Sequence, residues 1–247
     1  MSSLLDKLAN STAPSPPKII VYGQPGVGKT TFAAHAKALL IDCEGGAGNI
    51  VGVPRTPYLE TWPEMLEWLG AIATEPKMEH RVVAIDTIDW MLQRIAQHVT
   101  MALDPKTKND VTNTLASAHG GYFKAREIVA NIVSIELLPL LNKIVRRGCA
   151  VILLAHAEHG KETTPEGFTI RRASPDLPSF VMPTFIEWAD AVLYLYIAGD
   201  TRAIKATSTN TVLAKNRYGM PEDMPGDFAS VAAAIKAART AHEKKGS

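Results

Sequence analysis

The chain has 247 residues, 46% of them hydrophobic and 21% charged, with a formal net charge of +1. That balance excludes wholesale disorder and a polycationic carrier, and the length suits one large domain with a full core. Cys43 and Cys149 sit in or beside apolar runs, and two cysteines at that spacing make neither a zinc site nor a disulfide framework. No signal-peptide pattern opens the sequence and no unbroken apolar run approaches the roughly 18 residues that span a bilayer, so a soluble, cytoplasmic protein with no membrane partner is expected.

Residues 1–17 read as an arm, with an amphipathic stretch from Leu4 to Leu8 and a Ser/Pro-rich linker from Ser11 to Pro17. An alternation of apolar runs and helical periodicity follows. Strands are expected at Lys18–Tyr22, Leu39–Ile41, Arg81–Ile85, Ala150–Leu154 and Ala191–Ile197. Helices are expected over Lys29–Ala38, Trp62–Thr74, Ile88–Met101 and Tyr122–Val145, the last kinked at Pro139. Lys106–Gly121 and Glu158–Ser179 read as polar connections. Arg202–Thr207 and Thr211–Lys215 read as a hairpin, and Ala229–Lys245 as a basic helical tail. Strands alternating with helices predict an α/β fold, a mainly parallel central sheet flanked by helices, with an antiparallel extension. The core is expected to occupy residues 18–228, and 229–247 to form the tail.

The first strand runs into Gly23-Gln24-Pro25-Gly26-Val27-Gly28-Lys29-Thr30, and a helix follows. That context gives the pattern its meaning. Glycines at Gly26 and Gly28 let backbone N–H groups converge on one phosphate, and the new helix points its positive end there. Lys29 then reaches the β- and γ-phosphates, Thr30 offers a hydroxyl to Mg²⁺, and Thr31 is placed to meet the α-phosphate. The ligand expected is ATP with Mg²⁺.

Three strand tips add chemistry. Asp86 directly follows an apolar run and suits a Mg²⁺-linked carboxylate. Its neighbour Asp89 reads either as a second such group or as a charge on the helix dipole. Glu44 follows the second strand, at the carboxyl end where open α/β sheets hold their ligands, and suits a base for the attacking water, an ordinary loop carboxylate being the alternative. His156, past the fourth strand, suits a hydrogen bond to the γ-phosphate or else a core histidine satisfied by a carbonyl.

Four segments then stand in order, Gly23–Thr30, Leu40–Glu44, Val82–Asp86 and Val151–His156, with Lys215-Asn216-Arg217 as a fifth. This order resembles the RecA-like ATPase core. Ile-Asp-Cys-Glu-Gly-Gly, Ile-Asp-Thr-Ile-Asp-Trp, Leu-Ala-His-Ala-Glu and Glu187-Trp188-Ala189-Asp190 are similar, more narrowly, to the compact phage ATPases of the Sak single-strand annealing type. The likeness spans roughly residues 18 to 220. It implies that Glu44 is the catalytic glutamate, Asp86 the Mg²⁺-linked aspartate and His156 the γ-phosphate sensor tied to a DNA-binding loop. It implies that Lys215 and Arg217 reach the nucleotide of a neighbouring subunit, in a ring or a filament. Annealing-type relatives commonly carry Gly-Lys-Gly-Tyr near Gly120; here the stretch is His119-Gly120-Gly121-Tyr122, so no lysine role is carried over.

Lys161, Phe168, Arg171 and Arg172 combine cations with an aromatic, as single-stranded DNA contacts do, though a solvated hairpin would look alike. Lys215 and Arg217, two apart on a strand, share a face and could equally be an edge charge pair. The leading expectation is an oligomeric, DNA-stimulated ATPase that anneals single strands in phage recombination, with a single-strand-binding protein as a further partner. The alternatives are a replicative-helicase-like motor or loader, and a P-loop ATPase or kinase unrelated to DNA.

Overall fold

A computed structural model describes residues 14–106, 110, 112–163 and 167–245. The stretch Leu4–Leu8 lies outside the described residues, as do 107–109 and 111 within the first polar connection and 164–166 within the second.

The five expected parallel strands form as β1 (Lys18–Gly23), β2 (Leu39–Asp42), β3 (Val82–Asp86), β4 (Ala150–Thr163) and β6 (Ala191–Ala198). Between and beyond them lie β5 (Thr169–Pro175), β7 (Thr201–Lys205), β8 (Lys215–Asn216) and β9 (Asp223–Pro225). The sheet runs β2-β3-β4-β1-β6-β7-β9, with β5 on β4 and β8 on β6. The pairs β2–β3, β3–β4, β4–β1 and β1–β6 are parallel, and the β7, β8, β9 and β5 pairings are antiparallel.

Strands covered on both faces read as continuous apolar runs, and their period of two splits the side chains between layers. Ile20, Tyr22, Ile41, Val83, Ile85, Val151 and Leu153 pack on one face. They meet Met65 and Leu69 of α2 (Trp62–Thr74), Met91 and Ile95 of α3 (Ile88–Gln97), Val129 of α4 (Lys124–Asn131), Leu141 of α5 (Leu138–Arg146) and Phe185 of α6 (Met182–Trp188). Ile19, Val21, Leu40, Ala84, Ile152 and Leu154 pack on the other, against Phe32 of α1 (Lys29–His35) and Val231 and Ile235 of α7 (Phe228–Lys245). Thr61 and Glu64 close a capping box that fixes where α2 starts.

Four expectations change. The second polar connection is a β-hairpin: β4 runs nine residues beyond Leu154 and pairs with β5 from Ala157↔Pro175 to Thr163↔Thr169. Polar side chains on both faces hid it, because a strand exposed on both sides shows no alternation. The hairpin expected from 202–207 and 211–215 does not form. β7 pairs with β6 and β9, while Lys215–Asn216 returns to the start of β6, where Ala191 and Val192 are its partners. The long helix starts at Lys124, and a π-helical stretch, Ile132–Leu137, precedes Pro139 in the first turn of α5. The wider turn absorbs the proline's missing donor. The short α6 was not expected.

The stretch Lys124–Arg146 is long and apolar enough by length and composition to cross a bilayer. Val129, Val133, Leu137, Leu141 and Ile144 are at most 1% exposed inside the domain, which accounts for that composition as a core helix.

The Tyr22 hydroxyl ties β1 to the chain after β4. It donates to the Leu213 carbonyl at 2.6 Å and lies 3.1 Å from the Ala173 carbonyl. Tyr22→Phe removes the hydroxyl donor from the Leu213 carbonyl, while the Ala173 carbonyl keeps the Leu213 N–H. It is expected to cost about 1–3 kcal/mol of unfolding free energy, read by urea denaturation.

Candidate active site

Parallel register sets which residues meet at the carboxyl edge of the sheet. Gly23 pairs with His156 and Asp42 pairs with Asp86. The phosphate loop leaves β1 at that edge. A Cβ on Gly23 would sit 2.4 Å from the Leu195 carbonyl oxygen, so the loop starts where only glycine fits. Gly28 caps α1 with φ 101°, a left-handed conformation that a side chain resists. Gly23, Gln24, Pro25, Gly26, Val27 and Gly28 thus curl around the start of α1, with Thr31 partly exposed beside it.

Lys29 is 6% exposed, and its Nζ donates to the carbonyls of Gly23 at 3.1 Å and Gln24 at 3.2 Å. Burial pushes its pKa down, while Glu44, Asp89 and Asp86 draw it back up. The cation is therefore held over the loop by the loop's own carbonyls.

Asp86 is 4% exposed, and its carboxyl is pushed up to about 6. Burial is the main cause. The Thr30 hydroxyl donates to it and opposes the rise, Glu44 and Asp42 add to it, and Lys29 opposes it. A hydroxyl and a carboxylate side by side, in a site with more negative groups than Lys29 offsets, fit a hard divalent cation such as Mg²⁺. Among the described residues no cluster of three or more His, Cys, Asp or Glu could hold a metal by itself. The remaining ligands would be phosphate oxygens and water.

Glu44 is fixed through its backbone. The Cys43 and Glu44 N–H groups both donate to the Asp86 carbonyl, at 2.8 and 3.2 Å. The next residue, Gly45, turns at φ 80° and donates its N–H to Asp42 Oδ1 at 2.6 Å. The exit of β2 is thereby pinned to the tip of β3, and the Glu44 side chain, 32% exposed, faces His156 with Oε1 3.7 Å from Nε2.

His156 is bound from behind by Asp89. Nδ1 lies 2.7 Å from Asp89 Oδ2, and the His156 backbone N–H donates to Asp89 Oδ1 at 3.1 Å. That hydrogen bond raises the imidazole pKa, against burial. Asp89 does stand in the first turn of α3, as a dipole charge would, and it reaches across to β4 as well. Sequence spacing could not show this, since the partner is 67 residues away.

The structure does not bring Lys215 and Arg217 to this loop. β8 joins the amino end of β6, at the sheet edge opposite Gly23. Lys215 Nζ donates to the carbonyls of Ile186 and Glu187 at the end of α6, and Arg217 pairs with Glu187 at 2.9 Å and Asp190 at 3.6 Å. Lys161 faces Arg171 across the β4–β5 hairpin, Arg172 stands opposite Gly160 and donates to Ser208 Oγ, and Phe168 is 70% exposed near the hairpin's end. Gln24 of the phosphate loop meets the same hairpin, its Nε2 2.7 Å from His159 Nε2.

Arg202 was not anticipated. From β7 its Nε donates to the Val27 carbonyl at 2.9 Å, bracing the phosphate loop from 175 residues away. It borders a groove of about 470 Å³ lined also by Thr31, Phe32, His35, Ile197, Asp200 and Pro225.

Residues 15–218 match the family model described as an AAA domain. A search of the curated proteins finds no match.

The Asp86 carboxyl gives a pH-dependent test. Its folded pKa exceeds the ordinary 3.8, so between about pH 4 and 6 the folded chain holds a proton the unfolded chain has released. Ionisation therefore removes stability as pH rises through that window. In nucleotide-free protein, Asp86→Asn is expected to be more stable at pH 7 by on the order of 1–3 kcal/mol, with the gain fading toward pH 4. Urea titrations at both pH values check this. Mg²⁺-dependent nucleotide binding by the variant is expected to weaken.

Proposed function

The chain belongs to the AAA-domain family, and from that premise we propose that it hydrolyses ATP, binds single-stranded DNA as a homo-oligomer and anneals strands during recombination of phage DNA. One observation carries the reading. β4 runs without a break from the apolar core through His156, at the nucleotide site, into a hairpin that presents Lys161, Arg171 and Arg172. A strand is stiff over this length, so a displacement at His156 is carried to the cations. Gln24 gives the phosphate loop its own contact with the hairpin.

In this reading the loop and Lys29 hold the β- and γ-phosphates. Mg²⁺, held by Thr30 and through Asp86, would neutralise charge on the β- and γ-phosphate oxygens. Glu44 orients a water for in-line attack on the γ-phosphorus and takes its proton. The groove beside Thr31 receives the nucleoside, Phe32 and Pro225 offering apolar surface and Asp200 and His35 polar atoms.

Lys215 and Arg217 lie too far from this chain's loop to act in cis. Arg217 is 47% exposed, which suits a role toward the next subunit. A cation supplied in trans can be worth about 10³–10⁵ in rate, and this would couple turnover to assembly. A few cations per subunit bind a DNA strand weakly, so assembly along the strand would also supply the affinity.

Glu44→Gln is expected to bind ATP as the parent does and to hydrolyse it about 10²–10⁴-fold more slowly. Near-normal turnover would remove Glu44 as the base. Single-stranded DNA is expected to stimulate hydrolysis, and ATP to increase its retention, in a salt-sensitive way that Lys161→Ala/Arg171→Ala weakens. No stimulation and no ATP-dependent retention at low salt would leave an ATPase unrelated to DNA. Unwinding of a forked duplex without annealing would favour a motor.

A further inference from the structure

Asp89 is 6% exposed, and a carboxylate that deep needs partners. Among the described residues it has two, both on His156. Oδ1 accepts the His156 backbone N–H and Oδ2 meets His156 Nδ1. This two-point hold removes the ring's freedom to flip. It makes Nδ1 the nitrogen that donates to Asp89 and turns Nε2 toward Glu44. The two ends of the ring differ. The Asp89 contact, at 2.7 Å, is a short charge-assisted hydrogen bond, whereas the 3.7 Å to Glu44 is too long for one. One end is fixed and the other is exchangeable.

The charges facing the ring come from three elements: Asp89 on α3, Glu44 after β2 and Lys29 on α1. The two carboxylates favour the imidazolium, and Lys29 and burial oppose it, with the Asp89 hydrogen bond the largest influence. The Asp89 contact therefore favours a second proton on Nε2, on the side of the ring where Glu44 stands.

We propose that Asp89 is a positioning residue that holds the His156 Nε2–H as a donor, directed at Glu44 before ATP binds and passed to the terminal phosphate once it has. The inference rests on the ATPase reading above. Glu44, not hydrogen-bonded to the ring at 3.7 Å, is left to take the attacking water. The water oxygen then bonds to the γ-phosphorus, the bridging P–O bond breaks with its electron pair going to ADP, and the water's proton goes to Glu44. His156 keeps its own proton and leaves the phosphate as it departs.

Asp89→Asn tests this, because the amide oxygen can still accept a hydrogen bond from His156 while the charge is gone. Histidine-ring NMR on the nucleotide-free protein is expected to show wild-type His156 titrating above the ordinary imidazole value. The variant's midpoint should fall by about one pH unit or more. In hydrolysis the alkaline limb of kcat should move down by a similar amount, with KM for ATP changed less than about threefold. Asp89→Glu, which restores the charge, should return that limb part of the way. An unmoved His156 midpoint, or a kcat loss uniform across pH, overturns the positioning role. If Asp89→Asn fails to fold, a wild-type midpoint at or below the ordinary value overturns it. Absence of hydrolysis by the wild type, with the NMR shift intact, overturns the ATPase reading instead, so the two failures are told apart.

Discussion

The parallel pairing of β1 with β4 sets Gly23 beside His156, and the rest of the site depends on that register. The phosphate loop can start only where β1 ends. His156 stands on the neighbouring strand at the same height. β3 on the far side of β4 brings Asp86 level with Leu154, two residues before His156, and β2 brings Asp42 beside it. A slip of one residue in any pair would turn the active side chain to the opposite face of the sheet. The apolar runs that bury both faces are what prevent the slip, so the core and the site are specified by the same residues.

That arrangement concentrates charge in a dry place. Lys29, Asp42, Asp86 and Asp89 are each 6% exposed or less, and Glu44 and His156 stand over them. Desolvation works against every one of these ions. The protein offsets it locally: Lys29 by loop carbonyls, Asp42 by the Gly45 N–H, Asp89 by His156. Asp86 is the least compensated, with its pKa pushed to about 6 despite the Thr30 hydroxyl. Charge so incompletely compensated costs the folded chain stability at this site.

The β4–β5 hairpin and β8 show how distance along the sheet changes a role. His156 and Lys161 belong to one strand, so the nucleotide edge continues into the exposed cations. Lys215, which the resemblance assigned to the nucleotide of a neighbouring subunit, lies at the amino end of β6, where it donates to carbonyls at the end of α6. Its charge there complements the helix carbonyls.

The sequence alone determined the phosphate loop, the five parallel strands and the tips Glu44, Asp86 and His156. These are local signals: glycine spacing, continuous apolar runs and the polar residue that ends each run. It also determined α2, through its periodicity. Only the tertiary structure decided that residues 157–163 pair with 169–175, that Lys215–Asn216 pairs with β6, and that Arg202 braces the loop at Val27. It likewise decided that Asp89 grips His156 instead of serving the helix dipole alone. Each of these is a contact between residues far apart in the chain, or a strand wet on both faces, and neither leaves a periodicity to read.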